Sequence, residues 1–543
     1  MSLPRLAVLS LALSASLAAQ HAPAPDGSRH VGPPVAEALD LAQGHAGRLW
    51  AAWDQERCWS VAAFLDQHYR AAASEGYEAS ADHVVERLRA AGFGRLEGLE
   101  LQEWSVPTDE PGWTPRSARL ELLERNGSAR VLHSFDRPSA LERTMLPVFA
   151  PACDVSGPVA LRLEVVEPGS ILVTEARIRS DLLRRAQERG AVAVVSSSLA
   201  SYNFDSSGAE RHLHAIQFRA MEHPCPLPVA QISPHAYAQI REAVRAGAAR
   251  LRLAADVEFA ERPLRVVAAT VVGRGSPEEA VPIASHLRGP GAIDNASGVA
   301  SLVEGAVVSA ELLARGEMPW PRRSLVFLFG DEYEQSRAWF ERSGRSAVAG
   351  LSAIMTGDSP ARTGSPLLLE RQPDPGALVV LPPDRHTAWG AGEVEEGSLV
   401  PSGLDVVARC AVLDVHALSG GTWNTAEHPW EGGTDHDVFL LEHQRPAMLF
   451  WHFSGLVYHT SLDRLDFIDA AEMRRTGVAV LATALELCAP RSEALERYLT
   501  SSYLVESMRV QVAARHGELE NAAAWRAWGE GARTWLRALY APQ

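Results

Sequence analysis

The 543-residue sequence contains no lysine, so its 51 basic residues other than histidine are all arginines. Without lysine the chain cannot form a lysine Schiff base or use a lysine as a general base. Acidic residues outnumber arginines, which gives a formal net charge of −16 at pH 7. This charge disfavours nucleic acid and anionic membranes as partners, and it is typical of a protein kept in solution by self-repulsion.

Cysteine is also scarce, and its spacing excludes one class of metal site. The five cysteines include no CxxC pair, which argues against a zinc site built from thiolates. Cys153 and Cys225 fall in the same predicted domain, so they are the pair that we consider for a disulfide. Buried free thiols are the alternative, and the odd number leaves at least one cysteine unpaired.

A long apolar run is found at the N-terminus. Arg5 is followed by apolar residues 6–17, and residues 16–19 are small enough for cleavage. This arrangement is typical of a secretory signal peptide and is too short for a membrane span. We therefore predict that residues 1–19 are removed, that the protein is exported to the periplasm or the extracellular space, and that it has no membrane span.

The length predicts two or three domains, and the hydrophobic patterning assigns them. Strand-like and helical segments alternate over residues 35–146 and 259–489, which predicts an α/β domain with a mixed, mostly parallel sheet flanked by helices. Residues 147–258 are predicted to form an inserted β-rich domain. Residues 490–543 are predicted to form a C-terminal helical extension.

Three apolar runs of the α/β domain are predicted strands, and each is followed by potential metal ligands. The runs are residues 281–285, 325–329 and 351–355, and a helix over residues 297–315 links the first two. In an open α/β sheet, side chains beyond the carboxyl ends of the strands converge on one crevice. The residues placed there by the sequence are His286, Asp294, Glu332 and Asp358, and His459 comes later in the chain.

This set of imidazoles and carboxylates has the chemistry of a two-metal site. Zinc binds imidazole nitrogen and carboxylate oxygen, and two His with three carboxylates suffice for two ions that share one carboxylate. Asp331 adjoins Glu332 in the run PRRSLVFLFGDE. One of these neighbouring carboxylates can bind metal while the other acts as a general base, so Asp331 is the candidate base.

Five segments together resemble the secreted di-zinc aminopeptidase family, which also includes glutamate carboxypeptidases and glutaminyl cyclases. They are SHLRGPGAIDNASGVASLVEGA, RRSLVFLFGDE, AIMTGDS, GGTDHDVFLLEHQRPAML and YHTSLDRLDFID. Within the predicted insert, ILVTEARIRSDLLRRAQERGAVAVVSSS is similar to the protease-associated domain that such peptidases often carry. The resemblance implies a zinc-exopeptidase fold for the α/β domain.

The resemblance also implies a cofactor and its ligands. Two zinc ions per chain are expected, with Asp294 bridging them. His286 and Asp358 would complete one zinc site, and Glu332 and His459 would complete the other.

The implied activity is that of an exported zinc-dependent exopeptidase, an aminopeptidase in the first instance, acting on peptides or proteins. A water activated by two metals would attack the peptide bond. Asp331 stands at the position of the family's general base, and Tyr458 matches a tyrosine that steadies the developing oxyanion in some relatives.

Two departures from the family pattern leave alternatives open. The family's HxD motif is His286-Leu287-Arg288 here, and its Glu-Glu pair is Asp331-Glu332. Both changes favour a catalytically weak or inactive homologue that binds peptides or proteins. A glutaminyl cyclase-like reaction is a further alternative within the same family.

One glycosylation pattern falls inside the predicted metal loop. Asn295-Ala296-Ser297 matches the acceptor sequence, as does Asn126-Gly127-Ser128 elsewhere in the chain. A glycan in the metal loop would conflict with the site, so we expect Asn295 to remain unmodified.

Overall fold

A computed structural model describes residues 30–32, 36–37, 41–124, 128–247, 249–395, 397 and 399–541. The predicted signal peptide (residues 1–19) and Asn126 lie outside the described residues.

Strands and helices recur throughout the chain. The strands of the described residues are β1 (His30–Val31), β2 (Leu99–Val106), β3 (Gly112–Leu123), β4 (Ala129–Phe135), β5 (Cys153–Ala160), β6 (Ile171–Thr174), β7 (Ala193–Ser196), β8 (Val229–Gln231), β9 (Arg250–Ala260), β10 (Leu264–Val271), β11 (Ser276–His286), β12 (Arg323–Gly330), β13 (Ser346–Ala347), β14 (Gly350–Ala353), β15 (Leu367–Glu370), β16 (Thr425–His428) and β17 (Ala447–His452). The α-helices are α1 (His45–Ala52), α2 (Gln55–Leu65), α3 (Glu75–Ala90), α4 (Ser180–Glu188), α5 (Pro234–Arg245), α6 (Ala296–Ala314), α7 (Glu334–Arg342), α8 (Pro360–Thr363), α9 (Pro375–Leu378), α10 (Leu404–Leu418), α11 (Ala470–Cys488), α12 (Leu495–Arg515) and α13 (Leu519–Leu539).

The described residues form two sheets, and the larger has the strand order β1-β16-β15-β17-β14-β11-β12-β10-β2, with β13 paired to β11. Its central strands β12, β11, β14 and β17 are parallel to their neighbours within this group. β10 is antiparallel to β12, and β15 is antiparallel to β17. The predicted α/β class with a mixed, mostly parallel sheet is therefore confirmed.

The central strands are buried on both faces, which explains their continuous apolar sequence. Every residue of β12, RSLVFLFG, is buried. Strands of a parallel sheet that is covered by helices on both sides show this pattern, whereas a half-exposed strand would alternate. The predicted helix over residues 297–315 is α6, and it packs against α2, α11 and the central strands.

Helix α6 is long and apolar enough to cross a membrane by length and composition. However, 94% of its apolar window is buried inside the protein. Its hydrophobicity is therefore accounted for by packing, as expected for the central helix of a large core.

The second sheet has the order β4-β3-β9-β5-β6-β7-β8 and encloses its own hydrophobic core. It begins earlier than the predicted insert, because β3 and β4 precede residue 147 and β3 pairs along its whole length with β9. β5 ends at Ala160, and Leu163–Val165 forms a short 3-10 helix before β6. The domain boundaries and the protease-associated assignment stay predictions.

All five cysteines are free thiols. The Sγ atom of Cys153 lies 3.6 Å from the Leu253 carbonyl, and that of Cys225 lies 3.2 Å from the Leu227 carbonyl. The considered bridge between Cys153 and Cys225 is therefore absent, and burial raises the pKa of both thiols.

The C-terminal extension is helical, as predicted, and a buried ion pair attaches it to the α/β domain. α12 packs against α13 and α10. Arg509 of α12 donates two hydrogen bonds to Asp384, which also accepts from Arg371. All three side chains are buried.

We predict that Asp384→Ala lowers the free energy of unfolding by about 3 kcal/mol, because it leaves the buried Arg509 guanidinium without its carboxylate. Chemical denaturation measures the change. Glu393→Ala removes an exposed carboxylate and serves as the control. Equal stability of the two variants would contradict the assigned attachment.

Candidate active site

The predicted site residues gather at one edge of the larger sheet because their strands are parallel. His286 is the last residue of β11 and pairs in register with Gly330 at the end of β12. Asp331 and Glu332 follow Gly330 directly, so they lie beside His286. Asp358 comes five residues after β14, and His459 lies in the loop that follows β17.

Asp294 stands between the two histidines and turns one oxygen toward each. Its Oδ1 is 3.4 Å from His286 Nε2, and its Oδ2 is 2.9 Å from His459 Nε2. His286 Nε2 also lies 3.8 Å from Glu332 Oε1. A carboxylate that offers one oxygen to each of two imidazole nitrogens has the arrangement needed to bridge two cations.

His286 is oriented so that Nε2 faces the other candidate ligands. A carbonyl can only accept, so His286 Nδ1–H donates to the Arg288 carbonyl at 2.8 Å, which leaves Nε2 as the ring nitrogen that faces Asp294. In the HxD motif the acid accepts this hydrogen bond and fixes the orientation of the imidazole ring. Here the Arg288 carbonyl accepts it instead. Burial disfavours the imidazolium, but Glu332 and Asp294 outweigh it and raise the pKa of His286 to about 9.

The Arg288 side chain bridges the two carboxylates that follow β12. Its Nη2 donates to Glu332 Oε2 at 2.7 Å, and its Nε is 3.5 Å from Asp331 Oδ1. Asp331 and Glu332 raise the pKa of the Arg288 guanidinium. Because an arginine repels a nearby cation unless it points away or pairs with an acid, this pairing lets Arg288 lie beside the candidate ligands.

Asp331 is the residue that the sequence predicts as the general base. The side chain is buried, and burial raises the pKa of its carboxyl, although Arg288 opposes this shift. Among the described residues no group donates a hydrogen bond to its Oδ1. A buried carboxylate oxygen without a donor is available to a proton on a bound molecule.

Asp358 lies on the same edge but apart from the other candidate ligands. In the described chain no ion pair within 4.0 Å joins its carboxylate to His286 or His459. Its Oδ1 accepts from the Thr363 hydroxyl at 2.8 Å, and burial raises the pKa of its carboxyl to about 6. Its role as a ligand therefore stays a prediction.

Tyr458 lies against His459, with the two rings stacked at 3.9 Å. The Trp389 indole N–H donates a hydrogen bond to the Tyr458 hydroxyl oxygen. Burial raises the pKa of Tyr458 well above its usual range, so the phenol keeps its proton and remains a potential hydrogen-bond donor. Its role as an oxyanion donor is also still a prediction.

Two buried residues that position the Asp294 loop were missed by the sequence reasoning. Asp463 accepts the backbone N–H groups of Ile293 and Asp294, at 2.6 and 3.1 Å. Arg70 donates to the Leu287 and Gly291 carbonyls. Asp463 stands in the quoted segment YHTSLDRLDFID, which could have indicated it, whereas nothing near Arg70 marks it.

Asp435 positions the turn after β12 through hydrogen bonds. It accepts from the Tyr333 backbone N–H at 3.2 Å and from the Gln335 and Ser336 side chains, both at 2.7 Å. Tyr333 has φ of 66°, a left-handed conformation that a bulky residue adopts only when its surroundings hold it. Asp435 thus fixes the backbone next to Glu332.

A second group of potential ligands lies outside the predicted set. Atoms of Glu370, His428 and Glu431 lie within 4.8 Å of one another, and all three residues are buried. His428 Nε2 already accepts a hydrogen bond from the Trp451 indole at 3.0 Å, so its lone pair is in use. We assign this group to the hydrogen-bond network of β15 and β16.

Comparison of the chain with solved structures gives matches of differing strength. The crystal structure of a peptidase M28 precursor from Shewanella amazonensis SB2B matches with a TM-score of 0.54 and 18% identity, covering 83% of this chain and 98% of that one. A zinc aminopeptidase from Bacillus subtilis matches with a TM-score of 0.49 and 15% identity over 81% of this chain and 97% of that one. The glutaminyl cyclase of Porphyromonas gingivalis matches with a TM-score of 0.38 and 12% identity, covering 80% of this chain and 98% of that one.

No protein-family model and no curated protein sequence matches the chain. The structural comparison therefore establishes the relationship at the level of fold: this chain has the fold of the solved peptidase M28 precursor.

We predict that Arg288→Ala tightens zinc binding by at least about tenfold, because a positive charge next to Glu332 opposes a dication. Chelator competition measures the affinity. Arg337→Ala is the matched control, since both arginine side chains are 41% exposed and ion-paired to two carboxylates. Weaker zinc binding by Arg288→Ala would show that the guanidinium supports the site.

We predict that Asp358→Asn stabilises the zinc-free protein at pH 8 by about 3 kcal/mol. The native pKa of about 6 exceeds the unfolded value, so the stabilising contribution of this carboxyl is present below pH 4 and lost as the pH rises through 6.

Thermal unfolding in chelator at pH 4 and pH 8 tests whether the Asp358 carboxyl destabilises the protein as the pH rises. The difference between Asp358→Asn and the native chain should disappear at pH 4. Asp466→Asn changes an exposed carboxylate and should have no effect at either pH.

Proposed function

We propose that this protein is an exported zinc-dependent exopeptidase, and specifically an aminopeptidase. The observation that carries the proposal is the position of Asp294 between His286 and His459, one carboxylate oxygen facing each imidazole. Such an arrangement supports two zinc ions per chain, and the fold supports a peptidase. Export rests on the signal-peptide pattern of residues 1–19.

The donor set suits zinc. His286, Asp294, Glu332 and His459 would hold it, with Asp358 as the fifth ligand that the sequence predicts. Bound zinc supplies Lewis acidity, which polarises the carbonyl of the scissile bond and favours negative charge on its oxygen.

The chain's own groups supply the proton transfers. Asp331 Oδ1, which is buried and lacks a donor, takes the proton of the attacking water and returns it to the leaving amine. Tyr458 keeps its hydroxyl proton and donates it in a hydrogen bond to the developing oxyanion. Arg288 holds the Asp331 and Glu332 carboxylates at a fixed separation.

The Arg288 contact also favours a second candidate, a homologue that binds peptides without cleaving them. The guanidinium occupies one oxygen of a predicted zinc ligand and lies close to the base. In that case the site would bind less zinc, and substitution of Asp331 would change nothing measurable.

The deciding experiment combines metal analysis with a peptide panel. We expect about two zinc per chain and removal of residues from the amino terminus of short peptides, detected by mass spectrometry. Asp331→Asn should keep its zinc and lose about 10²- to 10⁴-fold in kcat. Glu341→Gln, an exposed carboxylate on α7, should leave kcat unchanged.

Zinc-loaded protein that cleaves none of the panel would contradict the proposed activity, and peptide binding by protein that holds fewer than two zinc ions would support the binding homologue. Trimming from the carboxyl terminus would instead contradict the aminopeptidase assignment while keeping the exopeptidase.

A further inference from the structure

The second sheet reaches into the candidate site through the segment between β7 and β8. Ser461 donates its backbone N–H to the Ile216 carbonyl at 2.8 Å, and the Ile216 N–H donates to the Ser461 hydroxyl at 3.1 Å. Gln217 and Thr460 form an antiparallel bridge. The segment therefore adds a short strand-like pairing to the loop that carries His459.

Gln217 contacts the backbone of His459 directly. Its Nε2 donates to the His459 carbonyl at 2.7 Å, and the backbone N–H of Phe218 donates to the same carbonyl at 2.7 Å. The Gln217 Oε1 atom accepts from the Ala200 N–H at 2.9 Å, which fixes the side chain from the other end. Gln217 is 1% exposed.

Asn203, which also lies between β7 and β8, makes two similar bonds to carbonyl groups that precede His459 in its loop. Its Nδ2 donates to the Gly455 carbonyl at 2.6 Å and to the Tyr458 carbonyl at 2.9 Å. Asn203 is fully buried. The two amides therefore hold both sides of the turn that presents Tyr458 and His459.

His459 needs such support. It has φ of 53°, a left-handed conformation that costs a non-glycine residue about 1 kcal/mol or more, and its side chain is 36% exposed. Residues 453–461 form no helix or named strand, so the loop lacks a ladder of its own. The contact of His459 Nε2 with Asp294 thus depends on bonds made from outside the loop.

We propose that Gln217 and Asn203 are positioning residues for His459, so that the second sheet supplies part of the metal site. The inference rests on the proposed function where zinc is concerned. The hydrogen bonds should also slow the opening of the loop in the metal-free protein, and this effect can be measured without zinc.

Two isosteric variants test the proposal. Gln217→Glu keeps the size and the acceptor but removes the donor to the His459 carbonyl, and Asn203→Asp removes both donors of that amide. Gln239→Ala is the control, because this glutamine is only partly buried on α5 of the same sheet unit and shares a hydrogen bond with His235 on that helix.

In chelator-treated protein, hydrogen exchange of residues 453–461 should be at least about tenfold faster in both variants than in the native chain or the control. With zinc restored, one of two bound ions should be held about tenfold more weakly, the lower end of the effect of an outer partner. Thermal unfolding confirms that the variants are folded.

The outcomes separate the inference from the proposed function. If the native chain binds no zinc, the function fails, while the exchange comparison still decides the positioning role. If zinc binds and both variants match the control in exchange and affinity, the positioning role is overturned. Global unfolding of both variants also contradicts it, since a positioning role requires a folded protein with a loosened loop.

Discussion

Excess negative charge, buried at one edge of the larger sheet, is the constraint on which this site depends. The carboxylates of Asp294, Asp331, Glu332 and Asp435 lie around His286 there, and Arg288 forms ion pairs with Asp331 and Glu332. Carboxylates that are withdrawn from water near one another cannot all remain charged without cations, because desolvation and mutual repulsion favour protonation. Burial raises the pKa of Asp358 and of Asp435 to about 6, and acidic neighbours raise that of His286 to about 9. Burial acts in the same direction on Asp294, but hydrogen bonds from His286 and His459 outweigh it and lower the pKa of that carboxyl.

Such a cluster persists only if the backbone beneath it is rigid. Asp463 and Arg70 fix the loop that carries Asp294, and Asp435 fixes the turn beside Glu332. The loop that carries His459 is held instead by the segment between β7 and β8 of the second sheet. The geometry of the site therefore depends on contacts made by both sheets.

The central strands and α6 were predictable because parallel strands under helices have a continuous apolar sequence that ends abruptly at polar residues. The same logic placed His286, Asp331 and Glu332 side by side. The sequence could not show that β3 belongs to the second sheet, since its long-range pairing with β9 leaves no local signal. It could not identify Gln217 either, because a buried glutamine that bonds to a distant carbonyl looks like any surface glutamine.

The Asn295 side chain, in the predicted metal loop, is buried and makes three hydrogen bonds. It donates to the Ser285 hydroxyl and the His286 carbonyl and accepts from the Met355 N–H. An oligosaccharide on this nitrogen would replace one of its two N–H donors, and there is no room for it beside a side chain that is 0% exposed. Attachment of sugar and completion of the fold are thus mutually exclusive at this residue. A eukaryotic secretory host that modifies the nascent chain there would yield a chain unable to close its central crevice.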